Sequence, residues 1–452
     1  MRRGPALHPA PAGPSPGERL RSLGLAASAD LHHGPGLYTS LRGHVTALGP
    51  LSDGPCCLGI DAGATMTRVQ LGTCAPDGPR PLLKIRYLTA DRPEGFLEQV
   101  VEITTVVRAL DLAEPRAIRI GIAGPVYDSG PLPSAQITNR PGWSLTDFAA
   151  RLRELTGCHD TAVANDMTVG MRWLPGGPWE RLLRPLLRPR PAASSPSSTG
   201  RLVKCQVGTG LNIAMRAAEG GVEAFEYGHH PFPATGEADR NLVRALAAIH
   251  GREIVTFEDV LGGRGFGPLV LAHAASATPE SRFLLPADLR DLLDSVPRAP
   301  TAVPPVPGIT RTVLALDTRI RELSSRFSPD PTRTSLLDAY AGFGLWALGD
   351  FLRGGFWPGF RPILSAYGRH LALFVLSAAQ ITACDDLYVG GRLVMDPTVR
   401  QGFLTAYPRL AGQFPHGRRL VDRVAVHAFD EPDYEHFLFL TAAESVPAQE
   451  RG

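Results

Sequence analysis

The chain has 452 residues, of which 44 % are apolar and 20 % are charged, and its formal net charge is +2. This length is more than one hydrophobic core usually organises, so we expect two domains of ordinary globular composition. The near-neutral charge does not favour binding to nucleic acid or to a membrane surface. The longest apolar run, Leu371 to Ala379, is far short of the roughly 20 residues that a membrane span needs.

The N-terminal region and the cysteines indicate the compartment. Residues 1–54 are rich in Pro, Gly and Ala and lack the apolar core of a secretory signal. They predict a disordered extension, with an Arg-rich targeting segment as the alternative. The six cysteines form no CxxC pattern and no cluster with histidine, so neither a zinc site nor a disulfide framework is indicated. Reduced thiols in a cytoplasm fit this pattern best.

From Cys56 onwards, short apolar runs alternate with amphipathic helical patterns. In the first half, strands are predicted in CCLGI, RVQLGTC, AIRIGIAG and TAVAN, and helices over Phe96–Leu110 and Leu145–Leu155. In the second half, strands are predicted in LVKCQVGTG, LNIAMRAA and DLYVGG, and helices over Asp239–Ile249 and Ser335–Leu352. The alternation in both halves indicates α/β domains with mixed or parallel sheets.

Two stretches interrupt this alternation. Residues 188–200 are rich in Pro and Ser, and residues 297–307 are rich in Pro, so both predict loops or insertions. No acidic residue lies between Glu180 and Glu219, whereas several arginines do. We interpret the basic stretch at 181–204 as a surface loop, with contact to polyphosphate or nucleic acid as the alternative.

The first motif with chemical meaning is LGIDAGATMTR at 58–68. A strand delivers Asp61 to a tight turn at Gly63, and a second strand follows. Small residues let backbone N–H groups approach phosphate oxygens, and the carboxylate can hold a hydrated Mg²⁺. The alternative is an ordinary glycine-containing hairpin.

The second group of motifs ends apolar strands with polar residues: GIAGPV (121–126), ITNRPGW (137–143) and VANDMTVG (163–170). A carboxylate at a strand end, such as Asp166 beside Asn165, can orient a hydroxyl group and accept its proton. The alternative is that this pair caps a helix that starts at Met167, since Asn and Asp favour that position.

Three further motifs follow in the second half. QVGTGLNIAM (206–215) predicts a turn with backbone donors for phosphate, or an ordinary hairpin turn. FEYGHHPF (225–232) places Glu226 and His229 three residues apart, and FEDVLGGRGF (257–266) places Glu258 before a glycine-rich turn. A histidine or glutamate in such a place is as readily a structural hydrogen-bond partner as a site residue.

The order of these motifs, followed by YVGG at 388–391, resembles that of bacterial glucokinases, which belong to the actin-like ATPase and hexokinase superfamily. The resemblance covers about residues 56 to 442. It implies an α/β fold with two actin-like ATPase (ribonuclease H-like) domains and a cleft between them. The small domain would span 55–175, with about 430–447 returning to it, and the large domain would span 176–429.

The resemblance also implies a function. A protein of this type is a cytoplasmic, glycolytic transferase that moves the γ-phosphoryl group of ATP to the 6-hydroxyl of glucose, with Mg²⁺ as cofactor. Its catalytic base would be Asp166. The implied sugar-binding residues are Asn139, Asn165, Glu226, His229 and Glu258. The implied nucleotide-binding residues are Asp61, Gly63, Thr65, Gly208, Thr209, Gly210, Gly390 and Gly391. Asp61 would hold Mg²⁺ through water.

Three departures from the family pattern were all expected to lie on the nucleotide side. Ala64 replaces a glycine, Asn212 stands where members usually have glycine, and residues 432–443 lack the usual Gly-Leu-Leu-Gly turn. ADP or polyphosphate therefore stay open as donors beside ATP, and another hexose stays open as acceptor. A sugar-binding regulatory protein with weakened nucleotide use is the other open alternative.

The remaining expectations concern partners. No cysteine lies between Cys205 and Cys384, so the zinc motif of a related family of repressors and kinases cannot form. No helix-turn-helix pattern precedes Cys56. The expected partners are glucose or a related hexose and a nucleotide, without nucleic acid or a membrane, and a homodimer is left open.

Overall fold

The computed structural model describes about three fifths of the chain. The described residues are 44–47, 54–63, 66–75, 77–90, 92–109, 112, 114–127, 134–138, 142–188, 200–208, 210–250, 252–263, 269, 272–273, 360–415, 417–430 and 433–447. The chain divides into two compact units, which we call unit 1 (Met1–Val169 with Asp433–Gly452) and unit 2 (Gly170–Pro432).

The strands and helices are numbered in chain order across both units. Those of unit 1 up to residue 169 are β1 (His44–Ala47), β2 (Cys56–Ala62), β3 (Met66–Ala75), β4 (Gly78–Leu88), α1 (Pro93–Ala109), β5 (Pro115–Ile122), β6 (Val126–Tyr127), β7 (Ser134–Gln136), β8 (Ser144–Thr146), α2 (Phe148–Thr156) and β9 (Asp160–Asn165). Those of unit 2 are β10 (Leu183–Arg188), β11 (Leu202–Val207), β12 (Leu211–Arg216), β13 (Val222–Phe225), α3 (Glu237–His250), α4 (Phe257–Leu261), α5 (Phe360–Thr382), β14 (Asp386–Gly390), α6 (Pro397–Ala411), α7 (Gly417–Arg423) and β15 (Ala425–Phe429). The last helix, α8 (Tyr434–Ser445), belongs to unit 1.

The main sheet of unit 1 has the strand order β1-β4-β3-β2-β5-β9. Strands β2, β3 and β4 are antiparallel neighbours, whereas β5 runs parallel to β2 and β9 runs parallel to β5. All seven residues of β2 are buried, because helices cover both faces of the sheet. Leu58 and Ile60 join the core with α1 and α2, and Cys57 joins a second core with α8.

Helix α8 lies directly against the sheet at Gly59. A Cβ atom at this position would collide with the backbone of Glu435 and Phe439, so only glycine allows this close approach. The C-terminal segment that lacks the family's glycine turn is therefore a packed helix of unit 1. This packing holds β2 in place and, with it, the turn that follows Asp61.

The main sheet of unit 2 has the strand order β10-β15-β14-β11-β12-β13. Strands β11, β12 and β13 are antiparallel neighbours, and β14 and β15 continue the sheet in parallel with β11. Its core includes Tyr367 and Phe374 of α5 and Phe403 of α6. The two helices cross closely at Gly368 and Gly402, where a Cβ atom would meet the backbone oxygens of the other helix.

The mixed α/β architecture expected from the alternating pattern is confirmed, with three differences in detail. First, residues 1–54 were predicted to be disordered, but His44–Ala47 forms a strand that pairs with β4. This prediction is wrong for these four residues, because a long neighbouring strand supplies hydrogen-bond partners that a short segment cannot signal by itself. Second, Ser144–Thr146 is a strand, and the helix predicted from Leu145 begins only at Phe148. Third, the helix predicted over 335–352 lies outside the described residues.

No helix among the described residues combines the length and the apolar character that crossing a bilayer requires.

Candidate functional site

The predicted site residues that the structure describes lie at strand ends, on turns and on one short helix. Thr65, Asn139 and Thr209 of the predicted set, together with Ala64, lie outside the described residues.

The turn after β2 holds Asp61 and Gly63 in unit 1. Asp61 is 3 % exposed, and Arg68, which is opposite it in the β2–β3 ladder, donates from Nη1 to its Oδ2 at 3.1 Å. The Gly63 N–H donates to the carbonyl of Met66 at 3.0 Å, and its own carbonyl accepts from Thr89 Oγ1 at 2.7 Å. Hydrogen bonds thus hold Gly63 at the end of β2, beside the charged pair of Asp61 and Arg68.

This turn was predicted to hold Mg²⁺ through Asp61. Among the described residues, no group of three or more His, Cys, Asp or Glu side chains could hold a metal ion. Mg²⁺ does not need such a group, because it keeps several waters and usually takes one or two carboxylates beside substrate phosphates. A single carboxylate beside a predicted phosphate turn therefore fits a water-mediated role, with Arg68 already engaged on one of its oxygens.

The end of β9 carries Asn165 and Asp166. Asn165 Nδ2 donates to the carbonyl of Gly124 at 2.6 Å, and its Oδ1 accepts from the N–H of Met167 at 2.8 Å. The second bond is a cap, so the capping interpretation is confirmed for Asn165, although the capped segment is only a 3₁₀ turn (Asp166–Thr168). Asp166 is the first residue of this turn and is partly exposed.

A cluster of two carboxylates and one imidazole lies in unit 2, and we call Glu226, His229 and Glu258 the acidic cluster. His229 Nε2 lies 3.5 Å from Glu226 Oε2 and 4.0 Å from Glu258 Oε2. The His229 and Glu226 side chains are 40 % and 33 % exposed, and that of Glu258 is 10 % exposed. Three predicted sugar residues are therefore brought together, and a ligand could reach at least two of them.

Local structure explains how the acidic cluster is built. Glu258 lies on α4, which is preceded by its N-cap Thr256 in a capping box in which Thr256 and Asp259 satisfy each other's backbone N–H groups. Glu226 precedes the 3₁₀ turn Tyr227–His229, and His229 ends this turn. A Cβ atom at Gly228 would collide with the carbonyl of Leu211, so glycine lets this turn lie directly on β12.

The start of β12 holds both carboxylates. The N–H of Leu211 donates to Glu258 Oε2 at 3.0 Å. Next to it, Asn212 Nδ2 donates to Glu226 Oε2 at 2.7 Å, and Asn212 Oδ1 accepts from the N–H of Gly228 at 3.4 Å. Asn212 was expected on the nucleotide side, whereas its side chain contacts Glu226, which the resemblance assigns to the sugar.

The electrostatics of the cluster favour a charged imidazole. The pKa of His229 is raised, chiefly because Glu226 hydrogen-bonds its ring, and the negative charge of Glu258 adds to this effect. Burial acts in the opposite direction but does not outweigh the two carboxylates. The cluster thus combines acceptor oxygens with a strong N–H donor.

The turn between β11 and β12 was predicted to contact phosphate. The N–H of Gly208 donates to the carbonyl of Gly210 at 2.9 Å, and the carbonyl of Gly208 accepts from the N–H of Gly263 at 2.8 Å. A Cβ atom at Gly208 would meet no other described atom within 4 Å, as at Gly221 and Gly236, so contacts among the described residues do not explain this glycine.

The two glycines after β14, Gly390 and Gly391, have a packing explanation. A Cβ atom at Gly390 would collide with the ring of Phe429, and one at Gly391 would collide with the carbonyl of Val207. Gly391 also has a φ of 134°, which L side chains rarely adopt. Their predicted role beside adenosine is therefore not needed to explain them.

Sequence reasoning missed two residues that contact predicted site residues. Arg68 could have been found from the hairpin, because a turn at Gly63 places it opposite Asp61. The contact between Asn212 and Glu226 had no comparable signal, because it joins a strand to a turn 14 residues later.

A model of the glucokinase family matches residues 58–300, just over half of the 452 residues. No curated protein matches the chain in a sequence search.

Solved structures are similar in fold. A glucokinase from an Antarctic psychrotroph has 15 % identity and a TM-score of 0.50, over 86 % of this chain and 99 % of that one. A glucokinase from Balamuthia mandrillaris, solved in complex with glucose, has 16 % identity and a TM-score of 0.54, over 88 % of this chain and 94 % of that one. A ROK family glucokinase from Streptomyces griseus, solved with glucose and AMPPNP, has 17 % identity and a TM-score of 0.48, over 86 % and 98 %. The predicted actin-like ATPase fold is confirmed.

Proposed function

Because the chain belongs to the glucokinase family, we propose that it is a hexose kinase that transfers the γ-phosphoryl group of ATP to the 6-hydroxyl of glucose. The observation that carries the proposal is the acidic cluster, in which His229 Nε2 lies within 4.0 Å of oxygens from Glu226 and Glu258. Glu226 and His229 come from one turn and Glu258 from α4, and all three are among the residues that the family resemblance assigns to the sugar.

The chemistry of the acidic cluster suits a sugar. Each hydroxyl of a hexose can donate one hydrogen bond and accept others, so it is best held by groups of both kinds. Glu226 and Glu258 supply acceptors, and a protonated His229 supplies a donor. Hydrogen bonds to charged groups contribute about 1.5–3 kcal/mol each, roughly twice the usual amount. The partial exposure of Glu226 and His229 gives a ligand access to them.

We assign the role of catalytic base to Asp166. Its carboxylate would accept the proton of the 6-hydroxyl while the hydroxyl oxygen forms a bond to the γ-phosphorus. The bond from this phosphorus to the bridging oxygen breaks, and ADP leaves. Asn165 supports the base by fixing both sides of the strand end, since its amide bonds to Gly124 and to Met167. Phosphoryl transfer mostly needs such positioning rather than covalent participation of the protein.

The nucleotide contacts are assigned to the two glycine turns, Gly63 in unit 1 and Gly208–Gly210 in unit 2. The open space around Gly208 supports this role, because a phosphate group can approach the backbone there. Asp61 would hold Mg²⁺ through water, and a bound Mg²⁺ would neutralise charge on the phosphoryl group. Departures from the family pattern lie near these turns, so ADP and polyphosphate belong in any donor test.

The thiols support a reducing compartment such as the cytoplasm. All six cysteines are free and buried. Burial raises the pKa of Cys384 to about 12, so its thiol is largely protonated at neutral pH.

A panel assay tests the proposal. Purified protein is incubated with each of several hexoses and with ATP, ADP or polyphosphate, and the product is identified by ³¹P NMR. We expect glucose 6-phosphate from glucose and ATP, and no product after removal of Mg²⁺. Glucose binding without turnover on any donor would favour the regulatory alternative, and neither binding nor turnover with any hexose would overturn the proposal.

A further inference from the structure

Asn212 is the residue of the acidic-cluster region that the family resemblance does not account for, since members usually have glycine there. Its side chain joins two parts of the turn after β13. The amide nitrogen donates to Glu226 Oε2 at 2.7 Å, and the amide oxygen accepts from the N–H of Gly228 at 3.4 Å. The first of these contacts is short and charge-assisted, whereas the second is at the long end for a hydrogen bond.

We propose that Asn212 is a positioning residue for sugar recognition, which fixes the carboxylate of Glu226 for the hexose through its amide group. This inference rests on the proposed function, because it needs Glu226 to contact a sugar. It assigns Asn212 to sugar binding instead of nucleotide binding.

Burial and geometry support this role. The side chain of Glu226 is 33 % exposed, so without a partner it would exchange among rotamers in water. The backbone of Asn212 is held in the β11–β12 ladder, where residue 212 pairs with Gln206. The preceding residue, Leu211, donates its N–H to Glu258. Two successive residues of one strand therefore set the positions of both carboxylates of the cluster.

The contact with Asn212 also affects how the carboxylate of Glu226 lies relative to His229. The same oxygen, Oε2, accepts from Asn212 and lies 3.5 Å from His229 Nε2. Asn212 thus holds this oxygen towards the imidazole and away from bulk water. Removing the amide donor should loosen Glu226 and weaken hexose binding about tenfold, since both a charged hydrogen bond and preorganisation are lost.

The sharpest test replaces the donor and keeps the shape. Asn212→Asp is isosteric and retains the acceptor for the Gly228 N–H, but it sets a second carboxylate against Glu226. Two carboxylates at this distance share a proton more readily than they both ionise. Asn241→Asp is the matched control, because Asn241 is an exposed residue of α3 whose side chain contacts Arg244.

Glucose affinity is measured by calorimetry without nucleotide, from pH 5.5 to pH 8. At pH 8, we expect Asn212→Asp to weaken binding at least about tenfold relative to the unmodified protein. The glucose affinity of Asn212→Asp divided by that of the unmodified protein should approach one as the pH falls, because Glu226 and the introduced carboxylate then share a proton. His229, Glu258 and Asp259 also face this region in both proteins. The titration of His229 shifts between them, so its contribution to the ratio is followed separately by NMR. Asn241→Asp should give a ratio near one throughout.

Three further measurements separate the alternatives. Asn212→Gly should weaken glucose binding without the pH-dependent ratio, because it adds no second carboxylate. ATP affinity should stay within about twofold in both variants. The ring of His229, followed by NMR, should titrate at a higher pH in Asn212→Asp than in the unmodified protein, because a negative charge is added nearby.

The opposing results are distinct. A flat ratio near one for Asn212→Asp would show that Asn212 supports only the turn, and altered ATP affinity with unchanged glucose affinity would return it to the nucleotide side. Either result overturns the inference and leaves the proposed function intact. If the unmodified protein binds no hexose, the proposed function fails, and the inference fails with it.

Discussion

The two units share one strand order but differ in the side chains at corresponding strand ends. In unit 1 the order is β4-β3-β2-β5-β9, and in unit 2 it is β13-β12-β11-β14-β15; each has three antiparallel strands followed by two parallel ones. In unit 1 the last strand of this order, β9, ends at Asn165 and is followed by Asp166. In unit 2 the last strand of this order, β15, ends at Phe429 and is followed by Asp430, which Arg184 binds at 2.7 Å.

This difference shows that the shared strand order places residues at equivalent strand ends, whereas the side chains there determine what each strand end does. The carboxylate of Asp430 is engaged by Arg184, and its N–H donates to the carbonyl of Leu182 at 2.9 Å, so it ties the strand end to the neighbouring segment. Asp166 instead opens a 3₁₀ turn whose geometry depends on the Asn165 cap. We therefore expect the same substitution at the two strand ends to have different consequences.

The largest effect is expected for Asp166→Asn. It removes the proposed base while keeping the shape of the side chain, and a positioned base contributes roughly 10²–10⁴-fold to the rate. We expect kcat to fall by that amount in a coupled assay with glucose and ATP. Asp430→Asn, the same change at the corresponding strand end of unit 2, should leave kcat within about threefold. Comparable losses of kcat in both variants, or a loss below about tenfold in Asp166→Asn, would contradict the different roles of the two strand ends.

A second prediction contrasts a strand-end aspartate with a helix aspartate. Asp239 on α3 is 2 % exposed and pairs with Arg369 of α5 at 2.6 Å, with His370 beside it. Arg369→Met would leave a buried carboxylate without its main partner, which costs about 3 kcal/mol or more of unfolding free energy. Urea unfolding should show this loss, while the KM for glucose should stay unchanged. A neutral effect on stability would mean that water reaches the pair.

The same cluster predicts how stability depends on pH. Burial by itself would raise the pKa of Asp239, but hydrogen bonds from Arg369, His370 and Thr235 outweigh it and hold the pKa well below 3.8. Because the pKa is lowered by folding, the stabilisation is present above pH 3.8 and is lost as the pH falls below it. Asp239→Asn should therefore flatten the acid side of the stability profile, and an unchanged profile would contradict this account.

A smaller effect is expected at the edge strand β1, which extends the sheet of unit 1 next to β4. Neighbouring residues of a strand point their N–H groups to opposite edges. Of Val45→Pro and Thr46→Pro, only one should therefore remove a bond to β4 and lower stability by roughly 1 kcal/mol. Thermal unfolding measures both. If both are neutral, the pairing of this segment with β4 does not contribute to stability.

The smallest effect concerns His229, whose pKa is raised mainly by Glu226 and further by Glu258. NMR should find its titration above pH 6.5, and Glu226→Gln should lower it. Since the pKa is raised on folding, the associated stabilisation is present at low pH and is lost as the pH rises through the titration. If the titration midpoint of His229 is unchanged in Glu226→Gln, the imidazole ring lies outside the acidic cluster.

Sequence reasoning reached the strands, because apolar runs with polar ends mark them directly. It also reached Glu226, His229 and Glu258, although only through the order of motifs, since nothing local brings a residue of α4 near a turn after β13. It failed for β1, where four residues pair with a partner about 40 positions later. It did not predict the contact of Asn212 with Glu226, because a side-chain contact between a strand and a turn depends on packing that no periodicity reveals.

The proposed function assigns the catalytic base to unit 1 and the acidic cluster to unit 2, and glucose binding distinguishes these two roles. Calorimetric titrations with glucose, without nucleotide, compare Asp166→Asn in unit 1 with Glu258→Gln in unit 2. We predict that Asp166→Asn stays within about threefold of the unmodified affinity, and that Glu258→Gln loses at least about tenfold because a charged acceptor is removed. Unchanged binding in Glu258→Gln, with strong loss in Asp166→Asn, would contradict the assignment of the sugar to the acidic cluster.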